Sequence, residues 1–215
     1  MKLLVFGATG PTGLQVLAQA LQQGHEVSAF VRSPLARSAG IPQGLDVARV
    51  GVFDGSVTDD PAAVAEAVRG QDAVICALGR RNSFKSEHLI ERSMRNIVPG
   101  MERHAVRRLI LVSAMGVGAS HRDAPRLPRI MYRLLLADIF ADKLAAEHYL
   151  GQSSLDWTVV YPVLLTNGPR TGRYRVGERL ALRGVPVISR ADVADFILRQ
   201  LRDAAFSRKI AVISY

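Results

Sequence analysis

Hydrophobic and polar positions follow two rhythms along this chain. Short apolar runs, such as Leu3–Phe6 and Ala73–Leu78, alternate with stretches in which apolar residues recur every three or four positions. The first rhythm is that of strands buried on both faces; the second is that of amphipathic helices. From the N-terminus, a strand over 3–6 leads into a helix ending near Gln23. Leu14, Leu17, Ala18 and Leu21 share one stripe of that helix, and Gly24 is its stop. Strands follow over 25–31 and 47–53. A helix over 58–68 has Thr58 or Asp59 as its cap and Pro61 in its first turn. The pattern continues with a strand over 72–77, a helix over 87–104 and a strand over 107–112. A loop over 113–128, a long helix over 129–150 and a strand over 157–161 come next. Beyond Asn167 it predicts strand-like pieces near Tyr174 and Val187, a helix over 191–201 and a last strand over 210–214. Alternating strands and helices predict an α/β fold, a doubly wound parallel sheet in one domain over 1–215. The pieces after Asn167 read as small additions on the substrate side.

Composition narrows the functional classes. No apolar run reaches the ~18 residues of a membrane span. The first apolar run stops at Phe6 instead of continuing as a signal peptide, so a cytoplasmic location is expected. The net charge of +9 rests almost wholly on arginine. The arginines are scattered, with no basic run, zinc pattern or stacking-aromatic motif. They predict a solvated basic surface and no nucleic-acid partner. Such a field still attracts anions, including a dinucleotide or an acidic substrate. The single cysteine, Cys76, lies in an apolar run and reads as a buried thiol. The five histidines lack metal-ligand spacing, and no metal is expected.

The chemistry begins directly after the first strand, at Gly7-Ala8-Thr9-Gly10-Pro11-Thr12-Gly13. Glycines between a strand and a helix allow a tight turn and a close backbone approach to a pyrophosphate, which the helix N-terminus then faces. Thr9 and Thr12 are placed to donate to phosphate oxygens, and Pro11 suits the first helical turn. The β-α-β context is the one this motif requires. Ligands of such sheets sit beyond the strand C-termini, so the residues after each strand matter most. After the second strand come Arg32 and Ser33, where an NAD-selective site would carry an acid. Arg32 there suits the 2′-phosphate of NADP, with Arg37 as a possible assistant. Asp54 and Gly55 follow the third strand, at the expected adenine edge. Leu78, Gly79 and Arg81 follow the fourth, with Arg81 placed to fold over the pyrophosphate or substrate. Ser113 follows the fifth, facing nicotinamide and substrate.

The spacing G-x-x-G-x-x-G resembles the short-chain dehydrogenase/reductase superfamily, in its extended and atypical branches. That resemblance implies a Tyr-x-x-x-Lys pair on the helix after the fifth strand. Lys143 matches the lysine, but Ile139 stands where the tyrosine would be. Tyr132 and Tyr149 are off the pattern. A proton for the product then comes from water, Ser113 or the substrate. Hydride transfer to a flavin, quinone or conjugated tetrapyrrole suits this better than alcohol–ketone chemistry. Arg122, Arg126 and Arg129 bracket the loop after Ser113 and would suit an anionic substrate; as surface charges they are equally ordinary. Ile130, Met131, Leu134 and Leu135 read as the buried stripe of the long helix. The strand 157–161 reads as core, with Pro162 at the pocket edge.

Taken with Val31-Arg32, Gly70-Gln71-Asp72-Ala73-Val74-Ile75, Leu78-Gly79-x-Arg81-Asn82, Arg95-Asn96-Ile97-Val98, Ser113-Ala114 and Val187-Ile188-Ser189, the chain resembles the flavin reductase and biliverdin-IXβ reductase group. This group belongs to the NAD(P)H-binding, NmrA-like atypical short-chain reductases. The resemblance implies a Rossmann-like domain and an open pocket. It implies an NADP(H)-dependent reductase of flavins or related conjugated acceptors, working as a monomer or weak homodimer. Arg32 would be the 2′-phosphate site, Arg81 the mobile pocket arginine and Ser113 the active-site serine. Val163 stands where such reductases can carry His, and Lys143 where they need not carry Lys. A nonenzymatic NADP(H)-binding redox sensor of the NmrA kind, acting through a protein partner, is the alternative that the missing tyrosine leaves open.

Overall fold

The computed structural model describes residues 1–32, 49–79, 85–118, 120 and 136–215. The strands and helices come in the expected alternation. They are β1 (Lys2–Phe6), α1 (Pro11–Gln22), β2 (Glu26–Val31), β3 (Val50–Asp54), α2 (Pro61–Val68), β4 (Ala73–Cys76), α3 (Leu89–Arg103) and β5 (Arg108–Val112), then α4 (Ala137–Gly151), β6 (Asp156–Pro162), β7 (Leu164–Thr166), β8 (Arg175–Gly177), β9 (Val187–Ser189), α5 (Arg190–Gln200) and β10 (Lys209–Ser214).

Eight strands form one sheet in the order β3-β2-β1-β4-β5-β6-β10-β8. All neighbours run parallel except β8 against β10. The first six follow the doubly wound Rossmann order, whose strand order reverses at β1. That reversal places a crevice beyond the ends of β1 and β4. β7 and β9 make a separate parallel pair; β9 falls on the strand expected near Val187, whereas β7 is a strand that the sequence pattern does not predict. β1, β4 and β5 are apolar at almost every position and buried, because helices cover both faces. The core runs through Leu3, Val5, Phe6, Ile75, Leu109, Leu111 and Val160, continuing into Ile97, Leu150 and Ile197 from the helices.

Besides small shifts at other element ends, two boundaries differ from the sequence expectation. α2 is capped by Asp60, whose carboxylate accepts from Ala63 N at 2.9 Å, and not by Thr58 or Asp59. Asp59 is already occupied, accepting from Ser56 and Thr58 at 2.6 Å each. α4 starts at Ala137, with Leu136 as its N-cap; the expected start at Arg129 lies outside the described residues. The periodicity that suggested a longer helix falls on residues outside the described ones.

Candidate functional site

The crevice is a cleft of about 550 Å³ lined by the glycine turn, the end of β2, the segment after β3, the end of β4 and the start of α3. At its floor, Gly7 has φ +77°, and a Cβ there would stand 2.5 Å from the Ala77 carbonyl oxygen. A Cβ at Gly13 would meet the Gly7 carbonyl oxygen at 2.2 Å. No side chain fits at either position, so the turn is pressed between β4 and α1. Gly10 N donates to Gly7 O at 3.0 Å and forms the N-cap of α1 without a side-chain cap. Pro11 fills the first turn, and that turn carries no acid. An uncapped helix start at the mouth of a cleft attracts an anion through its free N–H groups and dipole. The tight glycine turn and the open helix end both fit a dinucleotide pyrophosphate. Gly7, Thr9 and Gly10 line the cleft directly. Gly13 and the buried Thr12 shape it from behind.

Arg32 lines the cleft at the end of β2, and Leu78 and Gly79 line it after β4. Ser33, Arg37, Arg81, Arg122, Arg126 and Arg129 lie outside the described residues. Asp54 and Gly55 do not line the cleft. Gly55 N donates to Val31 O at 3.0 Å, and a Cβ at Gly55 would stand 3.0 Å from Ala63 Cβ and 3.3 Å from Phe30. That glycine serves the packing of α2 on the sheet. The wall is built instead from Ser56, Val57, Thr58 and Asp59, with Leu89 and Arg92 opposite on α3. Asp59 and Arg92 pair across it. Hydrogen bonds from Ser56 and Thr58, with the Arg92 charge, hold the Asp59 carboxyl below the usual carboxylate range. Sequence reading missed this wall; the hydroxyl and acid run Ser56–Asp59 was its available signal.

α3 owes its start to α4. Ile90 N and Glu91 N donate to the two Asp142 carboxylate oxygens at 3.0 and 2.8 Å, and Ser86 N donates to Asp138 at 2.5 Å. A buried acid on one helix thus caps the helix before it. Asp142 also gathers with His88 and Glu91, but both its oxygens are used by those backbone donors.

Further along α4, Lys143 and Glu147 point inward. The Lys143 ammonium is buried and donates to Val112 O at 3.4 Å. It is not among the residues lining the described cleft. Burial drives its pKa down, opposed by the Glu147 charge. Ser113 N donates to Val160 O at 2.8 Å, which sets Ser113 beside Tyr161 on the neighbouring strand. The Ser113 hydroxyl meets one Glu147 oxygen, and Tyr161 OH donates to the other at 2.5 Å. Tyr161 is therefore more than core; its phenol closes a polar cluster. Burial pushes the Glu147 carboxyl up, opposed by the two hydroxyls and Lys143. Burial and the Glu147 carboxylate push the Tyr161 phenol up as well. Cys76, on β4 near Lys143, is pushed up to about 11 by burial and stays a thiol. Pro162, placed by sequence at the pocket edge, is buried. It accepts from Met115 N at 3.0 Å, fixing the loop after Ser113.

The NAD(P)H-binding family matches residues 7–204, and the chain belongs to it, with NAD(P)H as its cofactor. A chloroplastic protein of Arabidopsis thaliana is 31% identical over 179 residues, covering 80% of this chain and 61% of that protein. The chain thus spans less than two thirds of that relative's length. Among solved structures, ChuY of Escherichia coli O157:H7, described as an anaerobillin reductase, superposes with a TM-score of 0.79 at 25% identity. The alignment covers 99% of this chain and 96% of ChuY. A short-chain dehydrogenase/reductase of Veillonella parvula, solved in complex with NADP, gives 0.81 at 22% identity over 100% of this chain and 94% of its own. That likeness concerns the fold. No helix among the described residues is long and apolar enough to cross a membrane.

Proposed function

We propose that the chain is an NADPH-dependent reductase that passes hydride to a flavin, quinone or related conjugated acceptor. The observation that carries this reading is the absence of a tyrosine one turn before Lys143. Ile139 stands there, and the lysine ammonium is turned to the Val112 carbonyl instead. An alcohol–ketone enzyme needs a strong acid beside the carbonyl; a conjugated acceptor delocalises the incoming electron pair and needs far less. ChuY, similar over nearly its whole length, is described as an anaerobillin reductase.

In this reading Gly7, Thr9 and Gly10 hold the pyrophosphate, and Pro11, Thr12 and Gly13 shape the helix start that faces it. Arg32 takes the 2′-phosphate through charge-assisted hydrogen bonds, and Ser113 orients acceptor and nicotinamide. The nicotinamide, when bound, supplies the hydride. The deciding experiment mixes purified protein with NADPH and a panel of FMN, riboflavin, quinones and biliverdin. Nicotinamide absorbance is then followed, and oxidation with at least one acceptor is expected. Tight NADP(H) binding with turnover of none would instead favour the nonenzymatic sensor. The burial of Lys143 away from the described cleft is the observation on that side.

A further inference from the structure

We propose that Glu147 is the proton store of this site, replacing the absent tyrosine and acting on the acceptor through Ser113. The proposal rests on the reductase reading above. Its structural basis is the arrangement of three side chains around one half-buried carboxyl group. Ser113 from β5 meets one oxygen and Tyr161 from β6 the other at 2.5 Å. Lys143, one turn earlier on the same face of α4, supplies the nearby positive charge. Ser113 is buried at the end of β5, the edge toward which nicotinamide and acceptor sites open in this fold. No hydroxyl pair is needed to fill a core position; an apolar side chain at 147 would pack there without desolvating a carboxylate. The charged and titratable groups facing Glu147 are Lys143 on its own helix and Tyr161 from the sheet. Cys76 and Asp142 act on Lys143 from behind.

Hydride adds two electrons and one hydrogen to the acceptor and leaves it one proton short of its neutral reduced form. With Glu147 protonated, its O–H points at Ser113 Oγ, and the Ser113 hydroxyl hydrogen is free to face the acceptor. Ser113 gives that hydrogen to the acceptor as it takes the Glu147 proton. The O–H bonds broken and formed are equal in number. The carboxylate left behind faces Lys143 and accepts from Tyr161. A proton from water restores it. Burial of the carboxyl favours its protonated form at the start, while Lys143 and the two hydroxyls stabilise the ionised form at the end. The group is thereby balanced between states, as a proton donor must be. Glu147 touches neither acceptor nor cofactor in this scheme; it is a positioning and relay residue.

Glu147→Gln keeps the shape and loses the titration. With an acceptor that turns over, kcat of the native protein should fall at alkaline pH as Glu147 ionises. In Glu147→Gln, kcat should drop about a hundredfold and lose that alkaline limb, while the NADPH Kd stays the same. Tyr161→Phe removes a donor to the carboxylate and should move the limb to higher pH. It carries the test alone if Glu147→Gln does not fold. An infrared carbonyl band of a protonated carboxyl, present in the native protein and absent in Glu147→Gln, should titrate with the same midpoint. A native pH profile retained in Glu147→Gln, or a limb unmoved in Tyr161→Phe, would overturn the proposal. So would the lack of the infrared band above the ordinary carboxylate range. The infrared measurement needs no acceptor. Failure of every acceptor with the band intact therefore counts against the reductase reading and not against the stored proton.

Discussion

At the scale of single residues, Arg32 and Glu147 illustrate what sequence can and cannot reveal. Arg32 was legible because its meaning depends only on its place after β2, and the cleft includes it. A guanidinium meeting a 2′-phosphate makes charge-assisted bonds that a ribose hydroxyl cannot match. Arg32→Ala should therefore raise the NADPH Kd at least tenfold and leave the NADH Kd nearly unchanged, measured by fluorescence titration. Equal losses for both would refute the 2′-phosphate role. Ser113 ends β5 as the sequence places it, but it is buried and does not line the described cleft. Glu147 and Tyr161 were not legible, because their meeting depends on how α4 lies over the sheet. Tyr161 looked like one more large side chain in an apolar strand. The available hint was that Lys143 and Glu147 stand four apart and so share a helix face. Two charged residues on a buried face are uncommon unless paired. Asp54 and Gly55 failed as cleft residues for a local reason: the chain turns at Gly55 to admit α2, and the wall begins one residue later.

At the scale of elements, the alternation of strand and helix was readable nearly throughout, because apolar runs and amphipathic stripes report burial directly. Element ends were less so. The caps of α2 and α3 were set by competition for carboxylates, which no periodicity encodes. α3 shows this most clearly. His88 at its N-cap has φ +52° and gives no side-chain cap. Its first free N–H groups are met instead by Asp142 of α4. The start of α3 presents Leu89 and Arg92 to the cleft, so α4 governs both the polar cluster and the opposite wall. Asp142→Ala should leave buried donors without acceptors, costing about 1–3 kcal/mol. The urea midpoint should fall, and amide exchange at Ile90 and Glu91 should quicken more than in the middle of α3. Unchanged exchange at those two amides would show that α3 holds its first turn without help from α4.

At the scale of the whole molecule, the fold divides into a sheet that holds the cofactor cleft and a C-terminal region that wraps one end of it. Asp192, fully buried at the start of α5, ties that region together. One oxygen accepts from Thr171 N and Gly172 N at 2.8 Å each. The other accepts from Thr171 Oγ1 at 2.9 Å, Ser189 Oγ at 3.1 Å and Tyr215 OH at 2.6 Å. The loop before β8, the end of β9 and the chain terminus therefore converge on one carboxylate. Burial alone would raise its pKa, but these donors outweigh it and hold the carboxyl below its ordinary value. A carboxyl ionised more readily in the folded state than in the unfolded chain stabilises folding wherever both forms are ionised. The contribution is complete above the unfolded pKa of about 3.9 and fades as pH falls toward the folded value. Urea midpoints of the native protein should thus decline through this acid range. Asp192→Asn keeps the size but offers one acceptor and an unwanted donor to five donors. It should be less stable at neutral pH and lose part of the acid-side decline, so that the two curves converge as pH drops. Curves that stay parallel down to the acid limit would mean that Asp192 acts by shape alone, and that another carboxylate carries the acid sensitivity of the fold.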